Sequence, residues 1–276
     1  MVKKIIYDLG ANNGDDLPYY LLKADVVIAV EANPVLCELI KERFHKEIKQ
    51  GKLFIENCVL TAEEDDAQVR FYIRKDDHVR SQFPEPSPDA LENYEEVTLP
   101  SSSVKHIIEK YGEPYYIKID IEHYDSQILR ALYQGGYFPS FISAESHSLE
   151  ILSLLIIMGY GAFKLVEGKT VSQEYSSHMI SCGEEMLPYS FPYHAAGPFG
   201  EDIKGKWMTP ENFLRLLAYT GLGWRDIHAA RYEKADPSVR PSVKAYIKHF
   251  ITYRIASRIP KSFKTQVRRF ASGIQK

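Results

Sequence analysis

Over its first two-thirds the chain alternates short, β-branched apolar runs with segments of helical periodicity, and this alternation constrains the fold more than any other feature. A strand that is apolar at every position is buried on both faces, which requires a parallel sheet with helices packed on each side. The pattern predicts strands at 4–9, 26–30, 53–57, 115–120 and 140–145, and helices at 15–23, 34–49, 103–111, 125–134 and 148–158. Gly, Pro, Asn or Asp bounds each strand. Segment 68–74 (QVRFYIR) differs, because Val69, Phe71 and Ile73 alternate with polar residues as in a strand with one wet face. The acidic run 63–66 before it reads as a solvated turn. The expected class is α/β, with a doubly wound, mostly parallel sheet.

Two stretches break the pattern. Residues 76–98 carry Pro84, Pro86 and Pro88 with seven acidic residues, which predicts a long surface loop, either a lid or a passive connector. Residues 183–206 are rich in Gly, Pro and aromatics and read as an irregular substrate-side segment. A helix at 210–219 follows, with Thr209 as N-cap and Pro210 at its first position. These readings place one domain over 1–230 and a basic helical extension over 231–276.

Charge sharpens that division. The chain of 276 residues has 34 Lys+Arg against 37 Asp+Glu, yet residues 231–276 hold 12 basic residues against only Glu233 and Asp236. Residues 1–230 therefore carry 22 basic and 35 acidic residues, a balance that argues against nucleic acid as a partner. In the tail, Val243, Ile247, Phe250 and Ile251 share one helical face beside Lys244, Lys248 and Arg254, a pattern that suits either packing on the domain or peripheral contact with an anionic membrane. The most apolar uncharged run, 151–163, has thirteen residues, short of the ~20 that span a bilayer. Cys37, Cys58 and Cys182 show no CxxC spacing, so no structural zinc site is expected. With a strand expected from residue 4, no signal peptide is expected either. The expected location is cytoplasmic, including the inner membrane face if the tail binds there.

The chemistry concentrates in Tyr7-Asp8-Leu9-Gly10-Ala11-Asn12-Asn13-Gly14-Asp15-Asp16, at the tip of the first strand. Gly10 and Gly14 allow a tight turn with close approach to a ligand, in the crevice where open α/β sheets bind nucleotides. The next strand ends at Glu31, suited to accept both hydroxyls of a ribose. A dinucleotide fingerprint reads GxGxxG and rests its pyrophosphate on the helix N-terminus. Here the spacing is GxxxG, and Asp15 and Asp16 would repel a pyrophosphate, while Asp8 suits an ammonium. S-adenosylmethionine has ribose, ammonium and no phosphate, and is the cofactor this turn favours over NAD.

The blocks YDLGANNGDD, VIAVEANP and YYIKIDIEHYDSQIL, in that order, resemble the FkbM-type family of S-adenosylmethionine-dependent methyltransferases over residues 4–166. The resemblance implies a Rossmann-like class I methyltransferase fold, a cytosolic location and O-methylation of a hydroxyl on a sugar, glycan or natural product. It assigns Asp8, Gly10, Asn12, Gly14, Glu31 and Asn33 to the cofactor pocket, with Asn57 near the adenine. Where the family commonly has Gly-Ala-Glu, this chain has His123-Tyr124-Asp125, which leaves the substrate open.

Methyl transfer to a hydroxyl needs an aligned acceptor and a base within hydrogen-bond reach. Strand ends supply Lys118, Asp120, Glu122 and His123 in one place and Glu145 with His147 in another. Asp120 or His123 is the expected base, Glu122 and His147 are further catalytic candidates, and Ser81, Lys118 and Glu145 are expected on the substrate. The same carboxylates could hold magnesium or calcium, although no spacing demands a metal. Trp207 and Trp224 are expected to pack. Two other functions stay open: a methyltransferase-like module that binds cofactor without catalysis, and an NAD(P)-dependent oxidoreductase or epimerase, against which the GxxxG spacing argues.

Overall fold

The computed structural model describes residues 3–62, 67–76, 81–242, 244, 246, 247, 250, 251 and 258. The acidic run 63–66 and most of the tail beyond 242 lie outside the described residues, so of the amphipathic face read there Val243 is not described while Ile247, Phe250 and Ile251 are. The first half runs β1 (Ile5–Leu9), α1 (Leu17–Lys23), β2 (Val26–Glu31), α2 (Pro34–Arg43), α3 (His45–Lys49), β3 (Leu53–Asn57), β4 (Val59–Thr61), β5 (Gln68–Arg74), β6 (Tyr94–Ser103) and α4 (Val104–Tyr111). It continues with β7 (Tyr116–Ile119), α5 (Asp125–Gly135), β8 (Phe141–Ser146), α6 (Leu149–Ile157), β9 (Ala162–Glu167), α7 (Val171–Glu174), β10 (His178–Cys182), β11 (Glu185–Tyr189), α8 (Pro210–Thr220) and β12 (Gly223–Ala230).

Seven strands form the central sheet in the order β3-β2-β1-β7-β8-β12-β9. The first five run parallel, and β12 is antiparallel to both of its neighbours. This is a doubly wound, Rossmann-like sheet with one reversed strand. Side chains alternate across it. Tyr7, Leu9, Ile28, Val30, Ile117 and Ile119 pack towards α4, α5 and α6. Ile6, Val27, Ala29 and Tyr116 enter a second core with Leu17, Tyr20 and Ile40 from α1 and α2. Two buried faces explain why these strands read as unbroken apolar runs.

The strand and helix expectations up to residue 158 coincide with the observed elements to within two residues, with one exception. The helix expected over 34–49 divides at Phe44, whose backbone leaves helical geometry (φ −117°, ψ 23°) while the residue stays buried. The stretch 76–98 is only partly loop. A 3-10 turn spans Pro88–Asn93, and β6 begins at Tyr94, pairing antiparallel with β5 and parallel with β4 in a separate three-stranded sheet. Within 183–206, β11 pairs with β10 as a hairpin. Among the described residues no helix is long and apolar enough to cross a membrane.

Candidate active site at the carboxyl ends of the strands

A cavity of about 600 Å³ opens at the carboxyl ends of β1, β2, β7 and β8. Its geometry begins at Gly10, which turns the chain out of β1 with φ +91° and whose N–H, with that of Ala11, donates to the Val30 carbonyl at 3.0 Å. A Cβ on Gly10 would lie 1.8 Å from the Asp120 carbonyl oxygen, so the ends of β1 and β7 meet as closely as they do only because residue 10 has no side chain. Gly14 (φ +79°) serves packing instead, since a Cβ there would press on Leu17, Ile40 and Phe44 at 3.0–3.2 Å.

Glu31 ends β2 inside the cavity. One carboxylate oxygen accepts the Asn12 N–H and the other the Asn33 N–H, both at 2.8 Å, so the turn after β1 and the start of α2 are registered on a single side chain. Burial pushes its carboxyl up, opposed by these donors. Asn33 caps α2 by accepting the Val35 N–H at 3.0 Å. The Asn57 amide donates to the Glu31 and Ala32 carbonyls at 3.0 and 2.9 Å. Gly10, Asn12 and Glu31 therefore line the cavity, while Gly14, Asn33 and Asn57 lie behind the lining and hold it in shape.

Lys118 forms the floor, 4% exposed, with Nζ 3.4 Å from Asp8 Oδ1, 3.5 Å from Asp16 Oδ2 and 3.4 Å from Asp120 Oδ2. Asp8 is fully buried just under the lining; burial pushes its carboxyl up to about 7 against the pull of Lys118, and neither oxygen has a hydrogen bond. Asp226 of β12 is buried in the same field and is also pushed up by burial. One ammonium thus faces four carboxyl groups. Asp15 is drawn aside to Arg43 at 3.2 Å.

The remaining wall carries Asp120, Glu122, Glu145, His147 and Ser81, the last accepting the Arg74 N–H at 3.1 Å. His147 Nε2 stands 3.0 Å from Glu145 Oε2 and 3.9 Å from Glu122 Oε2. The Glu145 carboxylate holds the imidazolium up to about 9, so His147 is a cation at neutral pH. Burial, with Asp120 beside it, pushes Glu122 up to about 7. Glu122 and His123 both have left-handed backbones, φ +46° and +65°, and His123 stands where the resembling family commonly has glycine. The Asp125 carboxylate accepts the Ile121 N–H at 3.1 Å and closes this loop. The His123 side chain is 61% exposed and outside the lining, its ring 5.6 Å from that of His147. One oxygen or nitrogen from each of Glu122, Glu145 and His147 lies within 4.8 Å of the others, a grouping without Asp120 that could hold a cation only with the His147 imidazole deprotonated.

Several lining residues were not among the expected site residues. Cys58, Val59 and Leu60 follow β3, and the strand-end rule could have found them. Phe71, Phe83, Tyr124 and His194 come from the small sheet and from loops, and Trp224 from β12. Trp207 packs as expected, 4% exposed and stacked 6.1 Å from Phe141, whereas Trp224 lines the cavity. Two Tyr-x-x-x-Lys spacings, the pairing an oxidoreductase on such a fold would need, occur at Tyr19/Lys23 and Tyr160/Lys164. Both lie outside the lining: the Tyr19 hydroxyl and the Lys23 amine bind Asp202, while Tyr160 and Lys164 bind the Pro139 and Ile203 carbonyls.

The site fits S-adenosylmethionine on the evidence of its own groups. The excess of carboxyl over ammonium at the floor suits a ligand bearing ammonium and sulfonium, the orphaned Asn12 Oδ1 is an unused acceptor in the wall, and Glu31 keeps lone pairs for a ribose.

Residues 8–154, just over half of the chain, match the family model described as the methyltransferase FkbM domain. Among solved structures, the chain is similar to a methyltransferase FkbM from Methylobacillus flagellatus KT (15% identity, 60% of this chain and 40% of that one, TM-score 0.41). It is also similar to M. capricolum TrmK in complex with S-adenosylhomocysteine (11%, 99% and 89%, 0.37). A third likeness is to a SAM-dependent O-methyltransferase from Thermotoga maritima (10%, 87% and 62%, 0.38). The chain thus spans less than half the length of the FkbM structure it matches, and no curated protein matches it. The chain belongs to the FkbM family of methyltransferases, and its cofactor is S-adenosylmethionine.

Proposed function

We propose that the protein transfers a methyl group to a hydroxyl of a sugar, glycan or related natural product. The observation that carries this reading is a single cavity lined both by Glu31, at the cofactor end, and by Glu122, a carboxyl poised near neutral pH. Bound S-adenosylmethionine supplies an electrophilic sulfonium methyl. Glu31 holds the ribose, and the turn at Gly10–Asn12 keeps Glu31 in place through the N–H of Asn12. Glu122 takes the proton from the acceptor hydroxyl, because a base is most effective when its pKa lies near the working pH. His147, already protonated beside Glu145, cannot take that proton at neutral pH, and instead offers a positive charge 3.9 Å from Glu122 that keeps the base ionised.

The test is to incubate the purified chain with S-adenosylmethionine and a panel of sugars and glycosides, reading S-adenosylhomocysteine release and a mass gain of one methylene. Transfer that fails in Glu122→Gln supports the reading. Cofactor binding without transfer to any hydroxyl overturns it and leaves a binding module.

A further inference from the structure

Trp224 occupies an unusual place. β12 pairs with β8 at Gly223–Ser146 and again from Asp226–Glu145 onward, with a shift in register between them. Such irregularities re-aim side chains next to sites. Here Arg225 reaches Glu167 at 2.7 Å and Trp224 joins the cavity wall, half-buried, next to the strand end that carries Glu145 and His147.

The indole is held from two sides. A Cβ at residue 168 would lie 2.3 Å from Trp224 Nε1, so the ring edge sits where only glycine leaves room. The His194 ring stacks beside the indole, 6.0 Å between centroids and 23° between planes, and Tyr193 meets its edge at 5.6 Å. Ring stacking fixes orientation as well as burying area. A second aromatic pair, Phe83 and Tyr124 at 5.1 Å, lines the same cavity. The polar lining carries more acid than base: Asp15, Asp16, Asp120, Glu122 and Glu145 stand against Lys118 and His147, and the His147 imidazolium is already paired with Glu145 at 3.0 Å. Among the described lining residues Lys118 is the one Lys or Arg, and its ammonium is committed to the floor.

We propose that Trp224, pinned by Gly168 and His194, is the platform for the acceptor, and that it selects an uncharged pyranose ring over a phosphorylated one. The reading rests on the methyl-transfer function proposed above. A pyranose presents apolar C–H groups on its face and hydroxyl donors around its rim, which match an indole face flanked by carboxylates. A phosphate would be repelled by the same carboxylates.

The chain has two tryptophans, and Trp207 is buried outside the cavity lining, so a change in tryptophan emission on ligand binding is expected from Trp224. The protein is saturated with S-adenosylhomocysteine and titrated with the methyl glycosides of glucose, galactose, mannose, rhamnose and fucose, with glucose 6-phosphate, and with catechol. Saturable quenching by at least one neutral glycoside, with calorimetric binding of that glycoside weakened at least tenfold in Trp224→Ala while the S-adenosylhomocysteine thermal shift persists, is the expected result; undiminished binding by Trp224→Ala overturns the platform. Gly168→Ala, which displaces the indole, should weaken that glycoside at least tenfold and raise KM rather than lower kcat. Quenching only by the phosphate or by catechol, or no quenching by any probe, overturns the platform. Absence of the S-adenosylhomocysteine shift in the wild-type protein would instead overturn the cofactor-dependent reading beneath it.

Discussion

Gly10 and Asp120 are in contact through their backbones: the space that a Cβ of residue 10 would take is occupied by the Asp120 carbonyl oxygen at 1.8 Å. The Asp120 N–H in turn donates to the Leu9 carbonyl at 2.9 Å, so the two strand ends are bonded and in close approach at one point. Gly10→Ala must both adopt φ +91° and push β7 away. Left-handed strain and overpacking together cost about 2–5 kcal/mol. Gly51→Ala is the control, with φ +68° and nothing within 4 Å, and strain alone costs about 1–2 kcal/mol there. Thermal denaturation of the two variants should separate them by several degrees, and S-adenosylhomocysteine binding should fall only in Gly10→Ala. Equal losses would mean that the close approach is relaxed at little cost.

Glu31 and Asn57 look alike on paper as polar residues at adjacent strand ends, yet they should fail differently. Glu31→Gln keeps one acceptor and turns the other into a donor facing a backbone N–H, which leaves Asn12 or Asn33 unsatisfied. That costs about 1–3 kcal/mol, or about ten- to hundredfold in cofactor affinity where the group also binds ribose. Asn57→Ala removes two hydrogen bonds behind the lining and should lower stability by about 1–2 kcal/mol while changing affinity little. Calorimetric titration with S-adenosylhomocysteine beside urea denaturation checks both. A larger affinity loss in Asn57→Ala would place its amide on the ligand.

The difference between those two residues shows what the sequence could reveal. Strands buried on both faces, such as Val26–Glu31, announce themselves because burial demands apolar residues at every position. So does the turn at Gly10, where a positive φ demands glycine. β12 escaped because Asp226 and His228 lie in its buried centre, where charge and imidazole disguise a strand. Trp224, carried on that strand, escaped with it. Asn33 and Asn57 stand at the positions expected for cofactor residues, but which way a side chain points at a strand end depends on neighbours far away in sequence. Likewise the reading of Asp120 or His123 as the base could not foresee that the left-handed loop puts Glu122 in the cavity lining and leaves His123 outside it.

Lys118 is the one cation among Asp8, Asp16, Asp120 and Asp226. Replacing it by methionine preserves volume but leaves buried carboxylates without a partner, which costs about 3–5 kcal/mol. Because burial holds Asp8 up to about 7 even with Lys118 present, the carboxyls in Lys118→Met should take up protons easily. Part of the loss is therefore expected to return as the pH falls below 7. Urea midpoints measured on either side of pH 7 give the sign. A loss independent of pH would mean that packing, and not charge, is the function of the side chain.

Glu122 and His147 make opposite pH signatures. With Glu122 at about 7, kcat/KM should rise with pH below 7 and level above it, as the base loses its proton. Glu122→Gln should abolish that limb and slow transfer by about 10²–10⁴-fold. In stability the signs are fixed by linkage. His147 is raised from 6.5 to about 9 in the folded protein, so its stabilising contribution is complete below 6.5 and is lost as the pH rises through 9. Glu122 is raised from 4.5 to about 7, so its ionisation favours the unfolded chain, and the penalty accumulates between those values. The difference in Tm between wild type and His147→Gln should therefore shrink from pH 6.5 to 9, and Glu122→Gln should gain on wild type from pH 4.5 to 7. A kinetic limb that survives in Glu122→Gln would assign the proton to another group, and a constant Tm difference for His147→Gln would dissolve the ion pair with Glu145.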